Sequence, residues 1–309
     1  MIKKFSKFIW KNIYIPLFII KPFIYFFELI IFVFKYTGEY DLKFFETSKD
    51  FKKLSRETVQ KINSKDSVLL LTLRKSGSNY LMNLISTYFL GEINDNLIIN
   101  NKKVFNFRNG IIWYGENLNT EFRFNENENS YFFFQHIEAV KKNGIFFNGK
   151  IIFLIRNPRD WIISLHNYLI SRKDIYYKPK KVSHSIDYLM PIFCKSMKEV
   201  EYLIRDKNDI CINYEDLVSS PKSTIKLILE FLELKVDDKK IDNSIETNSI
   251  QNYKKLEKNN YIDHGYQLER GSFIRNPEIG QWKQKLNKND IKKIDQYIKK
   301  YKIMLNFKY

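Results

Sequence analysis

One stretch constrains the fold more than any other. It runs Val68-Leu-Leu-Leu-Thr-Leu73, then Arg74-Lys75-Ser76-Gly77-Ser78, then into a patterned segment. The short apolar run reads as a buried strand. Beyond it, Leu81, Leu84, Ile85 and Tyr88 recur at helical spacing and place one apolar face on a helix. A strand, a small-residue loop and a helix N-terminus together make an anion site. Backbone N–H groups and the positive helix end converge there, and Lys75 adds a full charge. The glycine spacing of a Walker A loop, G-x-x-x-x-G-K-S/T, is absent; here the lysine precedes the glycine.

The chain has 309 residues, room for one large α/β domain. Its net charge of +17 raises the question of a polyanionic partner. The lysines are scattered rather than gathered, so no nucleic acid is expected. Cys194 and Cys211 stand apart from each other and from the four histidines, which argues against a zinc site or a disulfide framework.

Residues 1–45 differ from the rest. Lys3, Lys4, Lys7 and Lys11 precede an apolar stretch at 13–34, interrupted by Lys21, Glu28, Pro16 and Pro22. Prolines break helices, and a clean span needs about 20 apolar residues. The expectation is a hydrophobic N-terminal helical segment lying in a membrane interface with its lysines on the headgroups. A helical pair packed on the domain and a true single span are the alternatives. Residues 46–309 read as one domain, with no Gly/Ser/Pro linker and no repeat dividing it.

Strand-like runs lie at 68–73, 131–135, 151–155 and 210–213. Helical patterns lie at 78–90, 158–171, 221–233 and 288–302. Their alternation predicts an α/β fold with a doubly wound parallel sheet, and ligands beyond the carboxyl ends of its strands.

Three further segments end at such positions. Residues 150–155 lead into Arg156-Asn157-Pro158-Arg159-Asp160 and a helix carrying Ser164. Pro158 suits a first helical turn and Asn157 an N-cap. Arg156 offers a planar fork for phosphate oxygens, and Ser164 a hydroxyl. Residues 131–136 form an aromatic strand ending in His136, whose imidazole suits a general base. Residues 211–217 include Tyr214-Glu215-Asp216-Leu217, followed by Pro221 and a helix reaching Phe231-Leu232. A last segment, 273–283, holds Arg275, Asn276, Pro277, Gly280, Trp282 and Lys283.

Taken together, these five segments resemble the sulfotransferases that use 3′-phosphoadenosine 5′-phosphosulfate (PAPS), in the cytosolic-type, P-loop-like form. The family motifs are Pro-Lys-Ser-Gly-Thr-Thr-Trp-Leu, Arg-Asn-Pro-Arg-Asp followed by serine, Tyr-Glu-Asp-Leu, and Arg-Lys-Gly-x-x-Gly-Asp-Trp-Lys. The resemblance implies sulfuryl transfer from PAPS to an acceptor hydroxyl or amine, with no metal. It implies that His136 is the base and that Lys75 stabilises the leaving oxygen. Arg74, Lys75, Ser76, Gly77, Ser78, Asn79 and Tyr80 then hold the 5′-phosphate side. Arg156, Ser164, Arg275 and Asn276 hold the 3′-phosphate, and Tyr214 contacts the adenine.

Departures from the motifs are specific. Phe134 stands where the family has a lysine two residues before the histidine. Asn276 and Pro277 replace Lys-Gly, and Pro277 has no N–H to give. Asn79 and Tyr80 replace threonine and tryptophan. His264 is the alternative base, and His166 is expected to serve packing. Aromatic residues in 101–130 (Phe105, Phe107, Trp113, Tyr114) and the segment 171–197 are expected to shape an acceptor pocket for a lipid or glycan. The expected location is the cytoplasmic face of a membrane. A small-molecule kinase of P-loop type, or an idle nucleotide- or membrane-binding protein, remains as an alternative.

Overall fold

The structure is a computed structural model. It describes residues 68–90, 98–99, 102–103, 112–113, 132–137, 149–171, 179–204, 209–258 and 277–308. Residues 1–45, Arg275, Asn276, His264 and most of 101–130 lie outside the described residues.

Strand β1 (Val68–Thr72) is the centre of the main sheet. Around it lie β4 (Ile112–Trp113), β5 (Phe132–His136), β6 (Lys150–Ile155) and β7 (Asp209–Asn213). The order is β4-β5-β1-β6-β7 and every pairing is parallel. The chain moves from β1 to one side for β5, then crosses to the other side for β6 and β7. Strands β2 (Ile98–Ile99) and β3 (Lys102–Lys103) form a separate antiparallel pair.

Alternation along β1 sorts the core into two layers. Leu69 and Leu71 face one way, onto α2 (Pro158–Ser171), α3 (Val182–Leu203) and α9 (Lys288–Lys300). Val68 and Leu70 face the other way, onto α1 (Ser78–Leu90), α5 (Pro221–Phe231) and α6 (Asp238–Thr247). A strand buried on both faces reads as a continuous apolar run, as 68–73 does. Short helices α4 (Tyr214–Ser219), α7 (Ile250–Lys258) and α8 (Trp282–Lys285) complete the described elements. Among the described residues no helix is long and apolar enough to cross a membrane.

The expected ends of two helices need correction. Helices α5 and α9 stop two residues before the expected ends at 233 and 302. Each closes in a Schellman turn whose left-handed residue is not glycine. Glu233 (φ 60°) and Lys302 (φ 52°) take that position. Leu234 N–H donates to the Leu229 carbonyl (2.9 Å) and Ile303 N–H to the Ile298 carbonyl (3.2 Å). Strand β5 ends in His136, as the aromatic run suggested. Residues 182–197 of the segment expected to shape a pocket are helical. They belong to α3, which buries Ile186, Met190, Phe193, Met197 and Val200 in the core despite Pro191 within the helix.

Candidate active site

The loop after β1 turns tightly. Ser76 N–H donates to the Leu73 carbonyl (3.1 Å), and Lys75 and Gly77 both take left-handed backbone angles, φ 65° and 90°. Helix α1 then begins at Ser78, and its first intrahelical bond runs from Leu81 N–H to the Gly77 carbonyl (3.1 Å). Helix geometry leaves the N–H groups of Ser78, Asn79 and Tyr80 without intrahelical acceptors, grouped at the positive end. Asn79 and Tyr80 are half-buried. Ser76 is fully buried, and its hydroxyl has no protein partner.

Gly77 is required twice over. Its φ disfavours any side chain, and a Cβ there would lie 2.4 Å from the Tyr214 ring. Tyr214 opens α4 directly after β7, so the loop and the carboxyl end of β7 meet at this contact. Arg156 opens the turn after β6 and covers the Tyr214 ring at 4.1 Å. Its Nη1 donates to the Lys75 carbonyl (3.0 Å), while its Nε is buried without a partner. Burial pushes the Tyr214 hydroxyl up in pKa. Tyr214 is 5 % exposed, with one face of its ring under Arg156.

The strand-to-helix turn at 156–160 is fixed by its own side chains. Asn157 caps α2 by accepting from Arg159 N–H (2.8 Å), and its amide donates to the Lys308 carbonyl (2.7 Å). Glu215 accepts from Asn157 N–H (3.1 Å); burial pushes its carboxyl up in pKa. Trp161 Nε1 donates to the Arg74 carbonyl (2.7 Å), so α2 braces the loop from beneath. One face of α2 carries half-buried Ser164 and, one turn on, Tyr168. The Lys75 ammonium stands 4.7 Å over the Tyr168 ring.

His136 ends β5 directly opposite Thr72 in the parallel register. Its Nδ1 lies 3.3 Å from the Thr72 carbonyl and 3.2 Å from the Thr72 hydroxyl. A carbonyl only accepts, so the proton of a neutral ring is favoured on Nδ1, leaving Nε2 with its lone pair. Phe134 is buried and meets the imidazole edge-on at 5.0 Å. An apolar ring thus stands where the motif has a lysine.

The structure therefore gathers Lys75, Ser76, Gly77, Arg156, Tyr214 and His136 at the carboxyl ends of adjacent strands. Arg74 contributes its carbonyl through Trp161. His166 packs, with Nδ1 2.9 Å from the Ser185 hydroxyl. Sequence reasoning missed Asp160 and Trp161, whose partners are backbone groups remote in the chain. Asp160 is buried and accepts from Gly280 N–H (2.6 Å) and Trp282 N–H (3.0 Å). The signal available was an acidic residue in the first turn of a helix.

Comparison with known proteins agrees with this geometry. Residues 65–306 match the sulfotransferase domain family. The guinea pig (Cavia porcellus) 3-alpha-hydroxysteroid sulfotransferase is 28% identical over 149 residues, 44% of this chain and 50% of that protein. Human sulfotransferase 2A1 is 23% identical over 248 residues, 74% of this chain and 82% of that protein. The chain spans about half the length of the first curated relatives it matches. Among solved structures, retinol dehydratase in complex with androsterone and the inactive cofactor PAP superposes with a TM-score of 0.58 at 16% identity, covering 82% of this chain and 85% of that one. A mouse sulfotransferase complexed with PAP gives 0.51 at 16% identity, covering 79% and 88%. The chain belongs to the sulfotransferase domain family.

Proposed function

We propose that this protein transfers the sulfuryl group of PAPS to a hydroxyl, or an amine, of a small acceptor. The observation that carries the reading is the meeting of Lys75, Arg156 and Tyr214 around Gly77, one strand away from His136. The polar groups fit a doubly phosphorylated nucleotide. The Ser76 hydroxyl and Arg156 Nε are buried donors without protein partners, and buried polar groups ordinarily have one. PAPS supplies the activated sulfuryl group on its 5′-phosphate. The N–H groups at the start of α1 and Ser76 hold that end. Arg156 and Ser164 hold the 3′-phosphate, and Arg275 with Asn276 follows from the motif. Lys75 neutralises charge on the bridging oxygen as the S–O bond breaks. His136 Nε2 takes the acceptor proton as the new O–S bond forms.

The acceptor is proposed to be an apolar alcohol, either a lipid or a lipid-linked glycan, met at a membrane surface through residues 1–45. The apolar stretch at 13–34 and the aromatic residues of 101–130 support this. So do a relative named for a hydroxysteroid and a fold neighbour holding androsterone. The test is transfer of labelled sulfate from PAPS onto hydroxysteroids and onto extracted lipids. Labelling of at least one acceptor class that disappears in Lys75→Ala supports the reading. Label that appears equally with Lys75→Ala contradicts it.

A further inference from the structure

Helix α2 and the turn before it hold the pair Arg74–Lys75 at three points. Trp161 Nε1 donates to the Arg74 carbonyl (2.7 Å), and Arg156 Nη1 donates to the Lys75 carbonyl (3.0 Å). The third point is the Tyr168 ring, with the Lys75 ammonium 4.7 Å from its centre. Trp161 and Tyr168 stand about two turns apart on α2, so they share one face roughly 10 Å apart along its axis.

The three contacts act on different parts of the pair. Trp161 and Arg156 grip the backbone. Lys75 has φ 65°, uncommon for a residue with a side chain, and such a state persists only where its surroundings over-determine it. The grip sets where the Lys75 side chain starts. Lysine carries its charge at the end of a flexible four-carbon stem, so a fixed backbone does not by itself fix the ammonium. The Tyr168 ring constrains that end, because its negative face attracts a cation, and more strongly where water is excluded. Tyr168 is buried in the same core cluster as Trp161 and Leu165, and Lys75 is half-buried. We propose that Tyr168 is a positioning residue for sulfuryl transfer: its ring face holds the Lys75 ammonium where negative charge develops on the leaving oxygen. This rests on the donor reading given above, which gives Lys75 that charge to neutralise. The charge forms only as the S–O bond breaks, so a misplaced ammonium costs rate rather than PAPS binding.

The test follows single turnovers of PAPS with the full chain in excess and water as the acceptor. Water oxygen attacks sulfur and its proton passes to His136. The S–O bond to the nucleotide breaks with its electron pair on the bridging oxygen, leaving adenosine 3′,5′-bisphosphate and hydrogen sulfate. Tyr168→Phe keeps the ring and should react within about twofold of wild type. Tyr168→Leu removes the ring and should lower the saturated rate about tenfold, the range of a desolvated cation–π contact. Half-saturation, which reports PAPS binding, should move less than about twofold. Added to Lys75→Ala, Tyr168→Leu should cost no more than about twofold further, because the ring acts through the lysine. Equal costs in the two backgrounds would mean a merely structural role and would overturn the proposal, as would a Tyr168→Phe protein as slow as Tyr168→Leu. If Tyr168→Leu does not fold, phenylalanine with successive ring fluorines at position 168 decides. Fluorine nearly keeps the shape and drains the ring face, so the rate should fall with each fluorine; a flat series would overturn the proposal. A Lys75→Ala protein as fast as wild type would remove the lysine's task in the donor reading, and the inference with it.

Discussion

Gly77 and Tyr214 touch so closely that one methyl group has no place between them: a Cβ on Gly77 would sit 2.4 Å from the tyrosine ring. Gly77 also has φ 90°. Gly77→Ala should therefore lose about 3 kcal/mol of stability, combining backbone strain with overpacking. Gly280→Ala is the control. It shares a left-handed φ of 80°, but a Cβ there meets nothing nearer than 3.9 Å. It should lose only about 1 kcal/mol. Thermal or denaturant unfolding compares the two, and equal losses would refute the close contact.

Activity should depend on His136 far more than on the hydroxyl beside it. His136→Ala should lower kcat by about a hundredfold to ten-thousandfold, the usual range for a positioned base. Bisphosphate affinity should stay unchanged. Thr72→Val removes the hydroxyl but keeps the carbonyl that holds Nδ1, so kcat should fall by no more than about threefold. Steady-state kinetics with a labelled acceptor checks both. A large Thr72→Val effect would show that the hydroxyl, not the carbonyl, orients the ring.

Glu215 gives a pH signature. Burial raises its carboxyl pKa above the ordinary 4.5. The folded state then binds this proton more readily than the unfolded chain does. The contribution is fully present below the ordinary carboxyl value and is lost as pH rises above it through the raised folded value. Glu215→Gln keeps an oxygen for Asn157 N–H and removes the buried charge. Its Tm should exceed that of wild type at pH 8, and the gap should close toward pH 4. A gap that widens on acidification would reverse the sign.

Both cysteine thiols should be inert in the native protein. Burial pushes Cys194 and Cys211 up to about 12, so their thiolate fraction at pH 8 is about one in ten thousand. Iodoacetamide at pH 8 should label neither site until denaturant is added, and then both. Mass spectrometry of the native protein would detect a contrary result directly.

The strand-loop-helix turns around Lys75 and Arg156 were legible in the sequence because they are local. The 68–90 segment changes from a doubly buried strand to a 3.6-residue pattern within a few residues, and the structure follows it closely. The Arg156 turn announces itself through Pro158 and Asn157. What was not legible depends on partners distant in sequence. Asp160 finds two backbone N–H groups 120 and 122 residues away, which no spacing rule encodes. Helix α3 was obscured by Pro191, although its apolar stripe is regular. The ends of α5 and α9 were overrun because Glu233 and Lys302 take a backbone state ordinarily signalled by glycine. The enclosure of Tyr214 depends on three segments meeting, which the motif alone does not encode.

The central claim is that Lys75, Arg156 and their neighbours form a site for a 3′-phosphorylated adenosine nucleotide. Calorimetric titration of the wild-type chain with adenosine 3′,5′-bisphosphate, beside 5′-AMP and ATP, tests it most directly. The account predicts binding of the bisphosphate at least about tenfold tighter than of either competitor, the scale of charge-assisted contacts to one added phosphate. Equal affinities, or a preference for ATP, would contradict it.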